Sequence, residues 1–239
     1  MLDDDRRPRD EVLAALPVFP LPNAVLLPGM VLPLNVFEPR YLELVDHVLE
    51  EGGHLGIPLL RPGFERNYDG RPELERVFGL GRLISHQRLP DGRRFIRVEG
   101  LGRVRTSSEL PPRAGFRELC VELLPEHGPS DAHRLEVLKA QLERIAATLD
   151  GDDEQMVQSV LRIPDARVML YAVTAIMPTL GFLAHGDRMS AGRPTLLELQ
   201  QRCLAAADGD ERVDVLIECA AGICTELGDS NRWPQRMWN

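Results

Sequence analysis

Lysine is almost absent from this chain: of its 28 basic residues only Lys139 is a lysine, and the rest are arginines. The ATP-binding loop G-x-x-x-x-G-K-[ST] needs a lysine to contact the nucleotide phosphates, and a serine–lysine protease needs one to activate its nucleophile. Lys139 lies in a stretch whose apolar spacing predicts a helix, and no glycine-rich loop precedes it. The sequence therefore argues against both kinds of active site.

Signatures of other active sites and of metal centres are missing as well. There is no G-x-S-x-G motif, no H-E-x-x-H motif and no C-x-x-C pair. The four cysteines are expected to be buried thiols in a reducing cytoplasm, because a chain of 239 residues folds without a disulfide framework. We therefore expect no catalytic residue, no cofactor and no metal.

The charge balance disfavours DNA and membrane partners. The formal net charge is −9 and acidic residues outnumber basic ones in both halves of the chain, so generic phosphate binding is not predicted. The uncharged stretches 12–37 and 168–184 are both interrupted by proline, and the second is shorter than the roughly 20 residues of a membrane-spanning helix. We expect a cytoplasmic protein without membrane contact.

Residues 16–126 are predicted to form a mostly β domain with one helix, preceded by a loosely held leader, residues 1–15. Short apolar runs such as Val25–Leu27, bounded by proline and glycine, are typical of buried strands. Helical spacing of apolar residues interrupts them after Pro39. The clearest feature is a hairpin, in which residues 80–89 and 94–105 flank the tight-turn dipeptide Asp91-Gly92.

Residues 130–228 are predicted to form a helical bundle, followed by a tail, residues 229–239. An apolar stripe at helical spacing predicts a first helix capped by Ser130. Thr195 and Glu198 have the spacing of a capping box at a later helix. The expected fold class is α+β, a partly closed β-barrel followed by a C-terminal α-helical bundle.

Two blocks of the β domain resemble the N-terminal, substrate-binding domain of Lon proteases. The first covers residues 16–41, from Leu16-Pro-Val-Phe-Pro-Leu-Pro22 to Phe37-Glu-Pro-Arg-Tyr41. The second covers residues 79–104, from Gly79-Leu-Gly-Arg-Leu-Ile84 to Val98-Glu-Gly-Leu-Gly-Arg-Val104. The resemblance implies that the β domain is PUA-like. In full-length Lon this region captures unfolded polypeptides and helps to assemble the ring.

The leading hypothesis is therefore a non-catalytic polypeptide-binding or adaptor module in protein quality control. Its partner would be an unfolded or extended polypeptide, or a protease or chaperone. The motif Phe37-Glu-Pro-Arg-Tyr41, which we call the corner motif, supplies the candidate contacts Phe37, Glu38, Arg40 and Tyr41. A structural interpretation competes with direct ligand contact, because Glu38 and Arg40 can form charge-assisted hydrogen bonds that hold a strand-to-helix corner, together with Arg103.

The arginine-rich hairpin, residues 82–105, keeps an RNA-binding alternative open. It carries seven arginines against Asp91 and Glu99, and its candidate contacts are Arg82, Arg97 and Arg103. PUA-like folds include RNA binders, which is an argument by analogy. The segment offers only one aromatic residue on which a base can stack, so a solvated sheet face is the competing interpretation.

Overall fold

Residues 8–68, 70–185 and 195–229 are described by a computed structural model. The chain separates into two units, Met1–Glu126 and His127–Asn239. In the described residues the first unit holds a six-stranded sheet with helices, and the second unit consists of helices. The first seven residues of the predicted leader and all but the first residue of the predicted tail lie outside the described residues.

The elements of the first unit follow each other in the order helix, two strands, helix, four strands, with a short 3-10 turn at Phe64–Asn67. They are α1 (Asp10–Ala14), β1 (Leu16–Val18), β2 (Val31–Val36), α2 (Pro39–Glu50), β3 (His54–Ile57), β4 (Val77–Arg88), β5 (Arg94–Glu109) and β6 (Arg117–Leu123). Helix α1 contacts β6 and its Leu13 is buried in the core, so the second half of the predicted leader is part of the fold.

The sheet closes on itself only in part. Its strand order is β2-β5-β4-β3-β1-β6, and β6 also pairs with β5, so the hydrogen-bonded ring returns to β5 and leaves β2 outside it. Strand β5 is long enough to pair with β2 and β6 through different residues: residues 94–99 pair with β2, and residues 104–109 pair with β6. Bulges in the β4–β5 and β5–β6 ladders add the bending that closure requires. The expected α+β fold with a partly closed barrel is confirmed.

Helix α2 covers the inner side of this sheet, as the spacing of its apolar residues predicts. Pro39 occupies the first turn, where no backbone N–H donor is needed. The buried side chains of α2 are Tyr41, Leu44, Val45 and Val48, and they share one core with Val36, Ile96 and Val98 of the strands. Gly52 and Gly53 follow the helix with φ values of +91° and +87°, a conformation that favours glycine. The predicted helix is confirmed.

The predicted hairpin is also confirmed, with longer strands, while the predicted strand at Val25–Leu27 is wrong. That segment is buried, and among the described residues it pairs with no strand. It crosses β4 and β5 where they carry Gly79 and Gly100, and a methyl group at either glycine would overlap the carbonyl oxygen of Leu26 or Leu27. The run is apolar because it packs across the sheet rather than alongside a strand.

The second unit contains five helices in its described residues. They are α3 (Ala132–Ala146), α4 (Asp152–Leu161), α5 (Ala166–His185), α6 (Leu196–Ala205) and α7 (Gly209–Asp229). The predicted capping box is confirmed: the Glu198 amide donates to Thr195 Oγ1 at 3.2 Å, and the Thr195 amide donates to Glu198 Oε2 at 2.6 Å. None of the described helices is long and apolar enough to cross a bilayer.

Two details of the second unit differ from expectation. Helix α3 is capped by Asp131, which accepts a hydrogen bond from the Arg134 amide at 3.2 Å. Ser130 is not the cap, because its hydroxyl donates instead to Asp210 Oδ2 at 2.5 Å. Helix α5 continues through Pro178, which the sequence suggested would break it. Met177 and Leu180 are buried on either side, so packing offsets the one backbone hydrogen bond that proline removes.

Asp165 caps helix α5 and should make the second unit sensitive to acid. Its carboxylate accepts hydrogen bonds from the amide, Nε and Nη2 of Arg167 at 2.9, 3.0 and 2.6 Å. The bond to the Arg167 side chain is the main reason that the pKa of Asp165 is lowered to about 2 from 3.8. A lowered pKa stabilises the fold above the unfolded value and loses that effect as the pH falls through the folded value.

We expect Asp165→Ala to lower the free energy of unfolding by about 1 kcal/mol near neutral pH, the usual effect of losing a cap. The difference from the parent chain should shrink between about pH 4 and about pH 2, because the parent carboxylate is protonated there. Urea denaturation across this range measures it. Glu143→Gln, an exposed change in the last turn of α3, is the control. A difference that stays constant down to the lowest pH would contradict the assignment.

Candidate functional site

In the part of the chain that the structure describes, one side of the sheet is exposed near its β2 edge. Along β2 the residues alternate: Leu32, Leu34 and Val36 pack against the core beneath α2, and the intervening residues are exposed. We call the opposite, exposed side the outer face. It comprises Val31, Pro33 and Asn35 of β2, Phe95, Arg97 and Glu99 of β5, and Arg82, Ser85 and Gln87 of β4.

Exposed apolar side chains are concentrated on and beside the outer face. Val31 and Phe95 are each 41% exposed, Ile84 in the adjoining bulge is 44% exposed, and Phe37, the residue after β2, is 63% exposed. The described residues contain six large hydrophobic side chains with this degree of exposure, and only Leu49 and Val168 lie elsewhere. Concentrations of this kind, rimmed by polar residues, are typical of surfaces that bind other molecules.

The backbone edge of β2 is open but interrupted. Among the described residues, no strand pairs with the side of β2 that faces away from β5. Pro33 lies opposite Arg97 in the middle of the strand. Because proline has no N–H, it fits only where the backbone donor would point away from the partner strand, so the open edge lacks a donor at its centre. A ligand here would depend on the side chains of the outer face more than on strand pairing.

The corner motif forms a polar and aromatic cluster rather than an open site. Arg40 Nε donates to Glu38 Oε2 at 2.9 Å, and the Tyr68 hydroxyl donates to Glu38 Oε1 at 2.9 Å. The Arg40 guanidinium lies 4.7 Å from the ring centroid of Tyr41 and 5.1 Å from that of Tyr68. Tyr41 is buried and stacks on Phe19 with ring centroids 4.1 Å apart. Burial is the main reason that the pKa of Tyr41 is raised to about 12.

This cluster supports the structural interpretation of the motif. Glu38, Arg40 and Tyr41 hold the corner between β2 and α2, and Phe37 is the most exposed of the four candidate contacts. Tyr68 is a partner that the sequence reasoning missed, since it lies 30 residues from Glu38 in the chain and carries no local signal.

Arg103 does not take part in the corner network, so that prediction is wrong. It is only 1% exposed, its Nε donates to Glu126 Oε1 at 2.6 Å, and its Nη2 donates to the carbonyl of Pro125 at 3.2 Å. The chain that leaves β6 covers this part of β5, since the Leu124 amide donates to the Arg103 carbonyl at 2.9 Å. A buried side chain with these partners is not available to a ligand.

The other arginines of the hairpin do not form one basic surface. Arg94 is buried and its Nη2 donates to Asp46 Oδ2 of α2 at 2.6 Å, which is the main reason that the pKa of Asp46 is lowered. Arg88 also pairs with Asp46, at 3.5 Å, and Arg93 pairs with Asp91 at 2.7 Å. The outer face retains only Arg82 and Arg97 of the predicted contacts, and nothing in this arrangement favours RNA.

A groove of about 550 Å³ lies elsewhere on the first unit, lined by residues 71–76 and by parts of β5 and β6. Its charges are largely paired with each other. Arg117 donates from Nε and Nη2 to the two carboxylate oxygens of Glu109, both at 2.8 Å, and Arg71 pairs with the same carboxylate at 3.1 Å. Arg61 pairs with Glu73 at 3.2 Å. These pairs leave few charges for a ligand, so the groove is a weaker candidate than the outer face.

Neither the thiols nor the other ligating side chains assemble into a centre in the part of the chain that the structure describes. No three His, Cys, Asp or Glu residues there converge as a metal site would require. None of the four cysteines forms a disulfide, but the prediction that all four are buried is wrong, since Cys120 and Cys219 are only half-buried. Burial raises the pKa of the Cys203 thiol to about 11, which makes it a poor nucleophile.

Comparison with known proteins decides the family. The profile described as "ATP-dependent protease La (LON) substrate-binding domain" matches residues 15–180. The chain belongs to the Lon substrate-binding domain family. The matched residues include all six strands of the sheet and the first helices of the second unit.

Relatives of this Lon substrate-binding domain include whole Lon proteases. It is 21% identical over 211 residues to Lon protease of Anaeromyxobacter dehalogenans, and the alignment covers 88% of this chain and 23% of that protein. It is 29% identical over 205 residues to Lon protease of Roseiflexus castenholzii, and this alignment covers 85% of this chain and 23% of that protein. The chain thus spans about a quarter of the length of these relatives.

A solved structure shares the fold. The N-terminal domain of Mycobacterium avium complex Lon protease superposes with a TM-score of 0.58 at 18% identity, covering 87% of this chain and 98% of that chain.

Proposed function

We propose that this Lon substrate-binding domain is a non-catalytic module that binds extended, apolar segments of unfolded polypeptide on the outer face. The observation that carries the proposal is the concentration of exposed apolar side chains there, beside an open strand edge. The family description supports a substrate-recognition role in general. An unfolded chain exposes apolar side chains that a native protein buries, so an apolar surface distinguishes between the two.

The outer face has enough apolar surface for weak, reversible capture. Covering a partly exposed aromatic side chain contributes about 1–2 kcal/mol, so Phe37 and Phe95 together supply about a quarter to a half of the roughly 8 kcal/mol of a micromolar affinity. Tight binding is not required of a module that passes its ligand on. We propose that the recipient is a protease or chaperone of the cytoplasmic quality-control system.

We further propose that the module does not cut the bound polypeptide. The only lysine, Lys139, lies on helix α3 and its Nζ forms an ion pair with Glu136 at 2.8 Å. In that position it is an ordinary surface residue and not the buried base of a serine–lysine pair.

The test is the affinity for an unfolded protein. Reduced, carbamidomethylated α-lactalbumin with a fluorescent label serves as the ligand, and fluorescence anisotropy measures its binding to the full chain. The double variant Phe37→Ser, Phe95→Ser should weaken binding by about tenfold or more, because aromatic side chains dominate such contacts. Tyr41 is left unchanged because its buried ring supports the core.

The matched control is Leu49→Ser, which removes an exposed apolar side chain from α2, outside the outer face. It should bind like the parent chain. If the double variant binds as well as the parent, or if Leu49→Ser weakens binding equally, the outer face is not the site. Circular dichroism of each variant establishes that the fold is retained.

A further inference from the structure

Arg97 lies directly opposite uncharged residues on the outer face. Its cross-strand partners are Pro33 on β2 and Ser85 on β4, neither of which carries a charge. The carboxylate nearest along β5 on the same face is that of Glu99, two residues away, which lies directly opposite Arg82. Residues two apart in a strand are separated by about 7 Å, a distance that the side chains of Arg97 and Glu99 do not bridge in the described structure. In the described residues, Arg97 has no ion-pair partner.

A ligand that covers the apolar side chains must also cover this guanidinium. Phe95 precedes Arg97 by two residues on the same face, and Pro33 faces Arg97 across the strands. Removing an arginine from water is unfavourable unless a hydrogen-bond acceptor replaces the water. A carboxylate replaces it best, because its two oxygens match the guanidinium fork and its charge offsets that of the arginine. A ligand cation at this position is repelled.

We infer that the outer face selects polypeptide segments in which an acidic side chain lies between apolar ones, with the acidic group bound by Arg97. This inference rests on the proposed function and names the class of polypeptide that the site takes. The interruption of the β2 edge at Pro33 strengthens the selection, because less of the affinity then comes from backbone hydrogen bonds, which do not depend on the sequence of the ligand. The net charge of −9 opposes the binding of an acidic segment only weakly, because salt screens charges beyond about 8–10 Å.

The test compares three labelled peptides of about seven residues that differ only in the central residue. Each has a phenylalanine two positions on either side of the centre, so that all three key side chains point the same way when the peptide is extended. The centre is glutamate, glutamine or arginine. For the parent chain we expect the glutamate peptide to bind about five to ten times more tightly than the glutamine peptide, and the arginine peptide to bind most weakly.

Variants of Arg97 identify the group responsible. Arg97→Gln should remove the preference for glutamate, and Arg97→Glu should reverse it in favour of the arginine peptide. Arg105→Gln is the matched control, because Arg105 is an exposed arginine of the same strand that lies opposite Glu122 and outside the outer face. It should keep the preference. Raising the salt from about 50 mM to about 500 mM should reduce the preference in the parent chain.

The outcomes separate this inference from the proposed function. Equal binding of the glutamate and glutamine peptides to the parent chain would overturn the acidic preference while leaving polypeptide binding intact. A glutamate preference that survives in Arg97→Gln would overturn the role of Arg97. Failure of all three peptides to bind, together with failure of the unfolded protein to bind, would overturn both proposals.

Discussion

Replacing Glu126 by leucine should lower the stability of the first unit by about 3–5 kcal/mol, the usual effect of leaving one member of a buried ion pair without its partner. Arg103 is only 1% exposed, so its guanidinium cannot turn to water when the carboxylate is removed. Glu126 is itself 19% exposed on its side chain and can reach solvent. The reverse change, Arg103→Met, should therefore cost less. Hydrogen exchange of the β5 amides in the full chain measures the loss.

The double variant Arg103→Met, Glu126→Leu is the decisive control for this pair. It removes both charges and keeps apolar volume, so it should recover most of the stability that Glu126→Leu alone loses. If the double variant is as unstable as the single one, the effect is due to packing at Glu126 and not to the buried charge. The pair also holds the segment that leaves β6, through the bond from Arg103 to the Pro125 carbonyl.

Alanine at Gly100 should destabilise the first unit by about 3 kcal/mol, near the upper end for overpacking. The added methyl group would overlap the carbonyl oxygen of Leu27, and backbone atoms cannot rotate out of the way as a side chain can. Gly79→Ala should have a similar effect through Leu26. Urea denaturation of the full chain, followed by circular dichroism, measures both.

Gly100→Ala should also weaken polypeptide binding, because the backbone of Gly100 positions the start of β2. The Gly100 amide donates to the Met30 carbonyl, and the Gly29 amide donates to the Gly100 carbonyl, both at 2.8 Å. Gly128→Ala is the control, since the nearest heavy atom to its added methyl group is Arg167 Cγ at an ordinary 3.5 Å. If Gly100→Ala is as stable as Gly128→Ala, residues 25–27 do not pack across β5 as described.

The outer face and the corner cluster show why the site was only partly predictable. Period-two alternation marks Phe95 as facing away from Ile96 and Val98, and the structure places it so. The same alternation does not predict which side of the sheet is covered by a helix. Whether Phe37 and Phe95 are buried or exposed depends on α2, which lies against the inner side.

The arginines of the hairpin show that ion-pair partners could not be predicted from the sequence. All seven in the hairpin look alike in sequence, yet one is buried against Glu126, two pair with Asp46, and Arg97 lies opposite neutral residues. Their partners are 23 to 48 residues away along the chain. Pairings over such separations carry no local signal.

Local pattern was enough for helix α2, the hairpin turn, the Thr195 cap and the family, because each depends on neighbouring residues or on a short motif. Tertiary structure alone decided which arginines are buried, which face of the sheet is left open, and that residues 25–27 cross the strands. The physical reason is that burial and charge pairing depend on which distant segments pack together. Only the closed arrangement of β5 with β6, and of α2 with the inner side, brings those segments into contact.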